Sequence, residues 1–192
     1  GQGSLWEGIR SCNILIENID LVVDMQPSEK NQWKAEVSFL KAYYHFLLVS
    51  NYGPIPIVDV NLPIDASDEQ VRVERKTVDE CFSYIVDIIN ESITNLPEKV
   101  VGNNDLGRID KVIAKSIKAR VLLYSASPLF NGNSNLYSNF VNKEGVHFFN
   151  QTFDENKWNL AAEASKEAID AALAQGSNMY YYTDTPPTFD TN

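Results

Sequence analysis

The sequence predicts an all-α fold in which antiparallel helix pairs are separated by long loops. Apolar residues recur at alternating spacings of three and four in five segments, which is the pattern of amphipathic helices. Prolines, glycines and polar runs separate these segments, and Thr77 and Asp110 precede two of them as capping residues. We therefore expect helices over residues 5–24, 29–52, 77–96, 110–127 and 157–175.

The first two helices are expected to pack on each other. The first has one apolar stripe, made of Leu5, Ile9, Cys12, Ile16, Ile19 and Val23. Ser28 is the expected cap of the second helix, which ends at Gly53-Pro54. Its predicted buried stripe contains Trp33, Val37, Leu40, Tyr44 and Leu47. Because only a few residues connect the two helices, they should form an antiparallel pair.

The third and fourth helices form a second predicted pair. Thr77 and Glu80 have capping-box spacing at the start of the third helix, and Pro97 ends it. Asp110 is the expected cap of the fourth helix, which stops before Pro128. The connections 55–76 and 131–156 are predicted to be long loops, and long loops in compact domains are usually functional.

An alanine-rich helix follows and ends at Gly176, and its small residues allow a neighbouring helix to approach closely. The tail 177–192 has no helical period, and we expect it to pack against something outside this sequence.

A weak internal repeat relates the helix pairs. Leu40-Lys41-Ala42 aligns with Ile117-Lys118-Ala119, and residues 78–89 align with residues 158–169 at nearly the same offset. Helix pairs that recur at a regular offset are typical of tetratricopeptide-like stacks, in which each pair buries its apolar face against its neighbours. The two long connections, which we call the first insertion (residues 55–76) and the second insertion (residues 131–156), explain why the period is longer than the ~34 residues of a simple repeat of this kind.

Length and composition limit the class of protein. A chain of 192 residues fits one domain. With 16 Lys and Arg against 26 Asp and Glu, its net charge of -10 would repel nucleic acid. Cys12 and Cys81 are too few for a disulfide scaffold or a zinc site, and we interpret them as core residues. The sequence begins without Met and near a predicted helix, so we expect a fragment of a longer protein.

No sequence motif predicts catalysis. The chain has no G-x-S-x-G, no glycine-rich phosphate loop and no dinucleotide fingerprint. His45 is interpreted as a helix-face residue satisfied by a neighbour, whereas His147 lies in a loop where it could touch a ligand. A glycan-cleaving enzyme stays an alternative, but nothing singles out an acid–base pair among the carboxylates. We predict that the chain is not an enzyme.

An acidic cluster in the first insertion raises the question of a metal. It contains Asp59, Asp65, Asp68 and Glu69, whose spacing fits no EF-hand. A solvated acidic loop is the favoured interpretation, and a calcium ion is the alternative. No other cofactor or metal is predicted.

The second insertion has the composition of a sugar-binding surface. Sugars place apolar faces on aromatic rings, and their hydroxyl groups bind side-chain amides. The candidate ligand-binding residues are therefore Asn131, Asn133, Tyr137 and Phe140. The alternative is that Tyr137 and Phe140 hold a long loop against the helices.

Three stretches of the sequence resemble the SusD/RagB family of nutrient-binding outer-membrane lipoproteins of Bacteroidetes-type bacteria. The first runs from Leu5-Trp6 through Ile9-Arg10-Ser11-Cys12-Asn13. The second comprises residues 35–44 and the turn Asn51-Tyr52-Gly53-Pro54-Ile55-Pro56-Ile57. The third comprises Gly107-Arg108, residues 118–124 and residues 126–132. The likeness extends to Trp158, Ala161 and Ala162 of the last helix, so residues 1–192 resemble one helical domain of such a protein.

The resemblance implies a tetratricopeptide-like scaffold that captures oligosaccharides or other nutrients for a SusC-like TonB-dependent transporter, without catalysis. It implies a cell-surface location in the outer membrane through a lipid anchor that this sequence does not contain. It also implies that the pocket residues lie largely outside these 192 residues. Gly53, Pro54, Pro56 and Pro128 match structural turn positions of the family. The alternative function is a tetratricopeptide-like scaffold that binds a peptide or protein in the groove between helix pairs.

Overall fold

A computed structural model describes residues 4–179 of the chain and confirms the all-α prediction. Its long helices are α1 (Leu5–Asn18), α2 (Pro27–Tyr52), α4 (Val78–Ile93), α5 (Lys111–Ala126) and α7 (Asn156–Ala174). Two short helices, α3 (Asp68–Val71) and α6 (Ser134–Tyr137), lie inside the predicted loops. Two 3-10 turns are Ile19–Leu21 and Asn103–Asp105. Between residues 4 and 179 the only β-pairing is two isolated bridges, Asn131 with Asn150 and Val141 with His147. Most of the predicted tail, residues 180–192, lies outside the described residues.

Each long helix packs on the next one along the chain. α1 packs on α2, α2 on α4, α4 on α5, and α5 on α7 through the alanine face of α7. Because the helices alternate in direction, both long insertions emerge at one end of the stack, which we call the loop end. The insertions contact each other there through the Lys143–Glu74 ion pair, and the second insertion also meets the start of α4, because the Phe148 carbonyl accepts the Val78 amide.

The helix starts follow the predicted caps in two of three cases. Thr77 and Glu80 form a complete capping box on α4, and the Asp110 carboxylate accepts the Ile113 amide on α5. The Ser28 prediction is wrong, because Pro27 already occupies the first turn of α2 and Gln26 precedes it. Proline is favoured at this position since it has no N–H to satisfy.

The predicted buried stripes of α1 and α2 need correction. α1 ends at Asn18 and gives way to a 3-10 turn, so Val23 is 98% exposed. The prediction that Trp33 is a core residue is wrong, since it is 39% exposed and lies against the Arg108 guanidinium. The buried stripe of α2 has the same period but is rotated to Ala35, Phe39, Ala42, Phe46 and Val49. A second buried row forms because α2 lies between α1 and α4.

That second row contains a buried lysine. Lys41 is 5% exposed, and its ammonium donates to the carbonyl and the carboxylate Oδ1 of Asp59, both at 3.0 Å. The Tyr84 hydroxyl of α4 donates to the same oxygen at 2.8 Å. Burial alone would raise the pKa of Asp59, but the hydrogen bonds from Tyr84 and Lys41 outweigh it, and the pKa lies below its ordinary value. We call Lys41, His45, Asp59 and Tyr84 the polar centre.

His45 completes the polar centre as a neutral, fully buried imidazole. Its Nδ1 lies 2.8 Å from the Lys41 carbonyl, which can only accept, so Nδ1 carries the proton. Its Nε2 accepts the Val58 amide at 3.3 Å. Burial lowers the pKa of His45. The interpretation of His45 as a satisfied helix-face residue is therefore confirmed.

A second cross-link joins two of the sequence motifs. Arg108 Nη2 donates to Glu36 of α2 at 2.9 Å, and Arg108 Nη1 donates to Asp105 at 3.1 Å. Glu36 is in the second motif stretch and Arg108 in the third. The motifs that carry the family resemblance thus meet in space and hold the two helix pairs together.

Both cysteines are free and buried, as predicted for core residues. Burial raises the pKa of the Cys81 thiol to about 11, and it also raises the pKa of Cys12.

Replacing Gly53 should destabilise the fold. Its φ of +72° disfavours any residue with a Cβ, and an added Cβ would lie 3.1 Å from the Phe149 ring. We expect Gly53→Ala to lower the free energy of unfolding by roughly 2 kcal/mol in urea denaturation. Gly145→Ala is the matched control, because Gly145 has φ +82° but open space around it. Equal losses in the two variants would show that the contact with Phe149 contributes nothing.

The polar centre should make stability depend on pH. Because the pKa of folded His45 lies below its unfolded value of about 6.5, acid protonates the unfolded chain first. The contribution of neutral His45 to the free energy of unfolding is therefore fully present above pH ~6.5, and it is lost as the pH falls from there toward the folded pKa. We expect the melting temperature of the wild type to fall between pH 7.5 and 5, and that of His45→Gln to change less. Parallel pH profiles would contradict the assignment.

Candidate functional site

The second insertion is attached to the helices by an aromatic stack. The Tyr137 ring lies 4.0 Å from the Phe149 ring at 11°, and Phe149 stacks on Phe130 at 5.9 Å. Phe130 in turn meets Phe82 of α4 edge-on at 5.1 Å. The four rings connect the surface of the loop to the core, since Phe82, Phe130 and Phe149 are each 3% exposed.

The predicted ligand-binding residues lie in this loop but make many contacts within the chain. Asn131 is 4% exposed, and its side chain both accepts from and donates to the Asp154 backbone at 2.9 Å. Asn133 caps α6 by accepting the Leu136 amide. Tyr137 and Phe140 are half-buried against the core, with ring centroids 6.5 Å apart. These contacts match the alternative in which the residues hold the loop in place, and sugar binding by them stays a prediction.

The predicted turn residues direct the first insertion into the core. After Gly53, Pro54 is buried and Pro56 half-buried, and they flank Ile55, which is 3% exposed. The Ile55 carbonyl accepts the Lys76 amide, so both ends of the insertion are joined. Pro128 is exposed and follows the last residues of α5.

An open cleft of about 430 Å³ lies at the loop end, beside the start of α4. Its lining residues are Thr77, Asp79, Gly145, Val146, His147, Phe149, Asn150 and Gln151. We call it the polar cleft. His147 is exposed there, as its loop position suggested. No ligand-binding motif singles out Asp79, Asn150 and Gln151, and Asn150-Gln151-Thr152 has only the spacing of a glycosylation sequon. Tertiary contacts between α4 and the second insertion bring the three residues together.

The side-chain amides of the polar cleft are held in fixed orientations. Asn150 Oδ1 accepts the Thr152 amide at 2.9 Å, and Gln151 Nε2 donates to the Phe149 carbonyl at 2.8 Å. Within residues 4–179, this leaves Asn150 Nδ2 as a donor and Gln151 Oε1 as an acceptor for other partners. Fixed donors and acceptors of this kind suit hydroxyl groups of a ligand.

A second cavity of about 300 Å³ lies between α4, α5 and α7. Its lining is mostly apolar and consists of Asp79, Phe82, Ser83, Val86, Leu122, Ser125, Asp154, Lys157 and Leu160. We call it the helix cavity. Asp79 borders both this cavity and the polar cleft. Lys157, at the start of α7, forms an ion pair with Asp79 and has a side chain only 13% exposed.

The acidic cluster of the first insertion is spread over different structures. Asp59 belongs to the polar centre, whereas Asp68 and Glu69 begin the short helix α3. Across residues 4–179, no group of three or more His, Cys, Asp or Glu residues is placed to hold a metal ion.

Asn131 should matter more for stability than its neighbour Asn133. Asn131→Ala leaves the part-buried Asp154 amide without its partner and removes one of the two bonds to the Asp154 carbonyl, which should cost about 1–3 kcal/mol of unfolding free energy. Asn133→Ala removes only an exposed cap and should cost about 0.5–1 kcal/mol. Thermal and urea denaturation of both variants check this, and a smaller loss for Asn131→Ala would refute the role as a structural pin.

Comparison with known families gives one family match. Residues 3–123 match the SusD-like family model described as "Starch-binding associating with outer membrane". No match was found among curated proteins. None of the helices in residues 4–179 combines the length and the apolar character needed to cross a membrane.

Several solved structures are similar to the chain. BT4246 is 35% identical with a TM-score of 0.85, over 93% of this chain and 31% of that one. A SusD-like protein from Bacteroides fragilis, BF3747, is 22% identical with a TM-score of 0.65, and the match covers 87% of this chain and 26% of that one. A laminarin-binding SusD-like protein is 26% identical with a TM-score of 0.57, and the match covers 64% of this chain and 25% of that one. The chain thus spans about a third or less of each of these proteins.

Proposed function

Because this chain belongs to the SusD-like family, we propose that it is the helical scaffold of a protein that binds glycans at a bacterial cell surface. The observation that carries the proposal is the family match over residues 3–123, which include the whole polar centre and the Glu36–Arg108 cross-link. The residues that hold the helix pairs together thus lie within the matched region. One similar protein is described as a laminarin-binding SusD-like protein, which supports a sugar as the ligand of this one.

The geometry of the loop end supports glycan binding in the polar cleft. Both long insertions emerge there, and the second one meets the start of α4 through the bond between the Val78 amide and the Phe148 carbonyl. The exposed imidazole of His147 and the oriented amides of Asn150 and Gln151 supply hydrogen-bonding groups for sugar hydroxyls. Tyr137 lies behind the cleft, because it stacks on the lining residue Phe149. Asn133, Tyr137 and Phe140 then shape the loop around the sugar.

We propose binding without bond cleavage. His45 is neutral and hydrogen-bonded at both nitrogens, so its geometry suits structure rather than proton transfer. Asp79 of the polar cleft is paired with Lys157. A carboxylate that is already engaged in an ion pair is poorly placed to exchange a proton with a substrate.

The family description supports a location, whereas the transporter partner is inferred from the family resemblance alone. The family description places its members in association with the outer membrane. We propose attachment there through a lipid anchor, with delivery of the captured oligosaccharide to a SusC-like TonB-dependent transporter. Co-purification of the transporter with the membrane-attached protein tests this part of the proposal.

Substitution in the polar cleft should weaken glycan binding without unfolding the protein. We expect His147→Ala to lower the affinity for a bound oligosaccharide, identified by screening laminarin and other glycans, by about tenfold. The melting temperature should not change, because His147 is exposed. Calorimetry measures the affinity, and assay of reducing ends in the same samples tests for cleavage.

Lys143→Ala is the control for this experiment. Lys143 lies in the same loop but forms an exposed ion pair with Glu74 outside the cleft. It should bind the glycan like the wild type. Equal affinity of wild type and His147→Ala would remove the cleft from the proposal, and release of reducing ends would overturn the non-enzymatic function.

A further inference from the structure

The helix cavity lies in a gap between two helix pairs. α4 and α7 both pack on α5, whereas their own backbones stay apart in the part of the chain that the structure describes, and the Lys157–Asp79 ion pair joins their first turns. α5 therefore forms the floor of the gap, and α4 and α7 form its two walls. Grooves of this kind, between the first helices of neighbouring pairs, form the concave binding surfaces of helical solenoids.

The walls and floor of the cavity are mostly apolar, and the side chains of Ser83 and Ser125 add two hydroxyls. Phe82 and Val86 of α4, Leu122 of α5 and Leu160 of α7 supply the apolar surface. Ser125 of α5 is 6% exposed and lines the cavity. Its hydroxyl has no hydrogen-bond partner among residues 4–179. Since Asn13 Oδ1 is the buried side-chain atom without a partner in the described residues, the Ser125 oxygen is reached by solvent and is available to a ligand.

The polar groups converge at one end of the cavity. Asp79 at the start of α4, and Asp154 and Lys157 at the start of α7, line that end. Lys157 is matched by Asp79, which leaves the carboxylate of Asp154 in excess. The net charge of -10 adds a weaker attraction for cations. The cavity therefore has an apolar body and a negatively charged end.

We propose that the helix cavity binds the long basic side chain of an arginine or lysine from a partner polypeptide. The aliphatic stem of such a side chain packs on Phe82, Leu122 and Leu160, and its cationic head reaches Asp154 and the outer oxygen of Asp79. A sugar ring fits this shape less well, because its hydroxyls need partners all round the ring. The open gap between the helix pairs accommodates the backbone of the partner. This inference rests on the helix packing and is independent of glycan binding.

Capped tripeptides with a central arginine, norleucine or glutamate test the proposal against the 192-residue chain. Binding is measured by titration with observation of leucine methyl signals by NMR. We expect the arginine peptide to shift the methyl signals of Leu122 and Leu160 and to bind at least about tenfold more tightly than the norleucine peptide. The glutamate peptide should bind more weakly than either. Free butylguanidinium should bind more weakly than the arginine peptide, because it has no backbone to occupy the gap.

A charge substitution with a matched control locates the site. Asp154→Asn keeps the bond that Asp154 Oδ1 accepts from the Asn156 amide, and it leaves the Lys157–Asp79 pair intact. We expect this substitution to lower the affinity for the arginine peptide about fivefold and to leave the melting temperature of the protein unchanged. Glu163→Gln, on an exposed part of α7 away from the cavity, should bind like the wild type.

Four results would overturn the inference. Equal binding of the norleucine peptide would show an apolar pocket without charge selection, and tighter binding of the glutamate peptide would make Lys157 the selecting group. Equal binding of butylguanidinium would assign the cavity to free small cations. Equal effects of Asp154→Asn and Glu163→Gln would place the binding elsewhere.

Discussion

The structure depends on the burial of the Lys41 ammonium in the middle of α2. A buried charge is tolerated only when it is paired and hydrogen-bonded, so the chain beyond Gly53 must turn back and bring Asp59 to it. Tyr84 then binds Asp59 from α4, and His45 binds the Val58 amide next to it. One charge thus determines the path of the first insertion and ties it to both helix pairs.

This constraint also positions the loop end. With the base of the first insertion held in the core, the Lys76 amide pairs with the Ile55 carbonyl, and α4 begins directly afterwards. The second insertion meets the start of α4 through the Phe148 carbonyl and the aromatic stack. The polar cleft lies where the insertions and α4 join, and the helix cavity lies one step away across Asp79. Two surfaces of different chemistry, a polar one for hydroxyls and an apolar one with an acidic end, therefore share one supporting residue.

The errors of the sequence analysis have a common cause. Trp33 matched the helical period of α2 but is exposed, because a helix with neighbours on two sides buries two rows and the period does not say which. Sugar binding by Asn131 stays a prediction, but composition gave no sign that its side-chain amide also bonds to the Asp154 backbone, 23 residues later in the chain. Asn150 and Gln151 were not predicted to bind a ligand, because only the fold brings them to the cleft. Composition identifies what a side chain can bind, and only the contacts identify what it does bind.

Local physics was sufficient for the helices and their order. The apolar period, the capping boxes at Thr77 and the carboxylate of Asp110 act within a few residues, so the sequence by itself determined the all-α class, most helix ends and the family resemblance. Tertiary structure decided the pairing of Lys41 with Asp59, the Glu36–Arg108 cross-link and both concavities. These features join residues far apart in the chain, and their partners are selected by burial and charge rather than by sequence spacing.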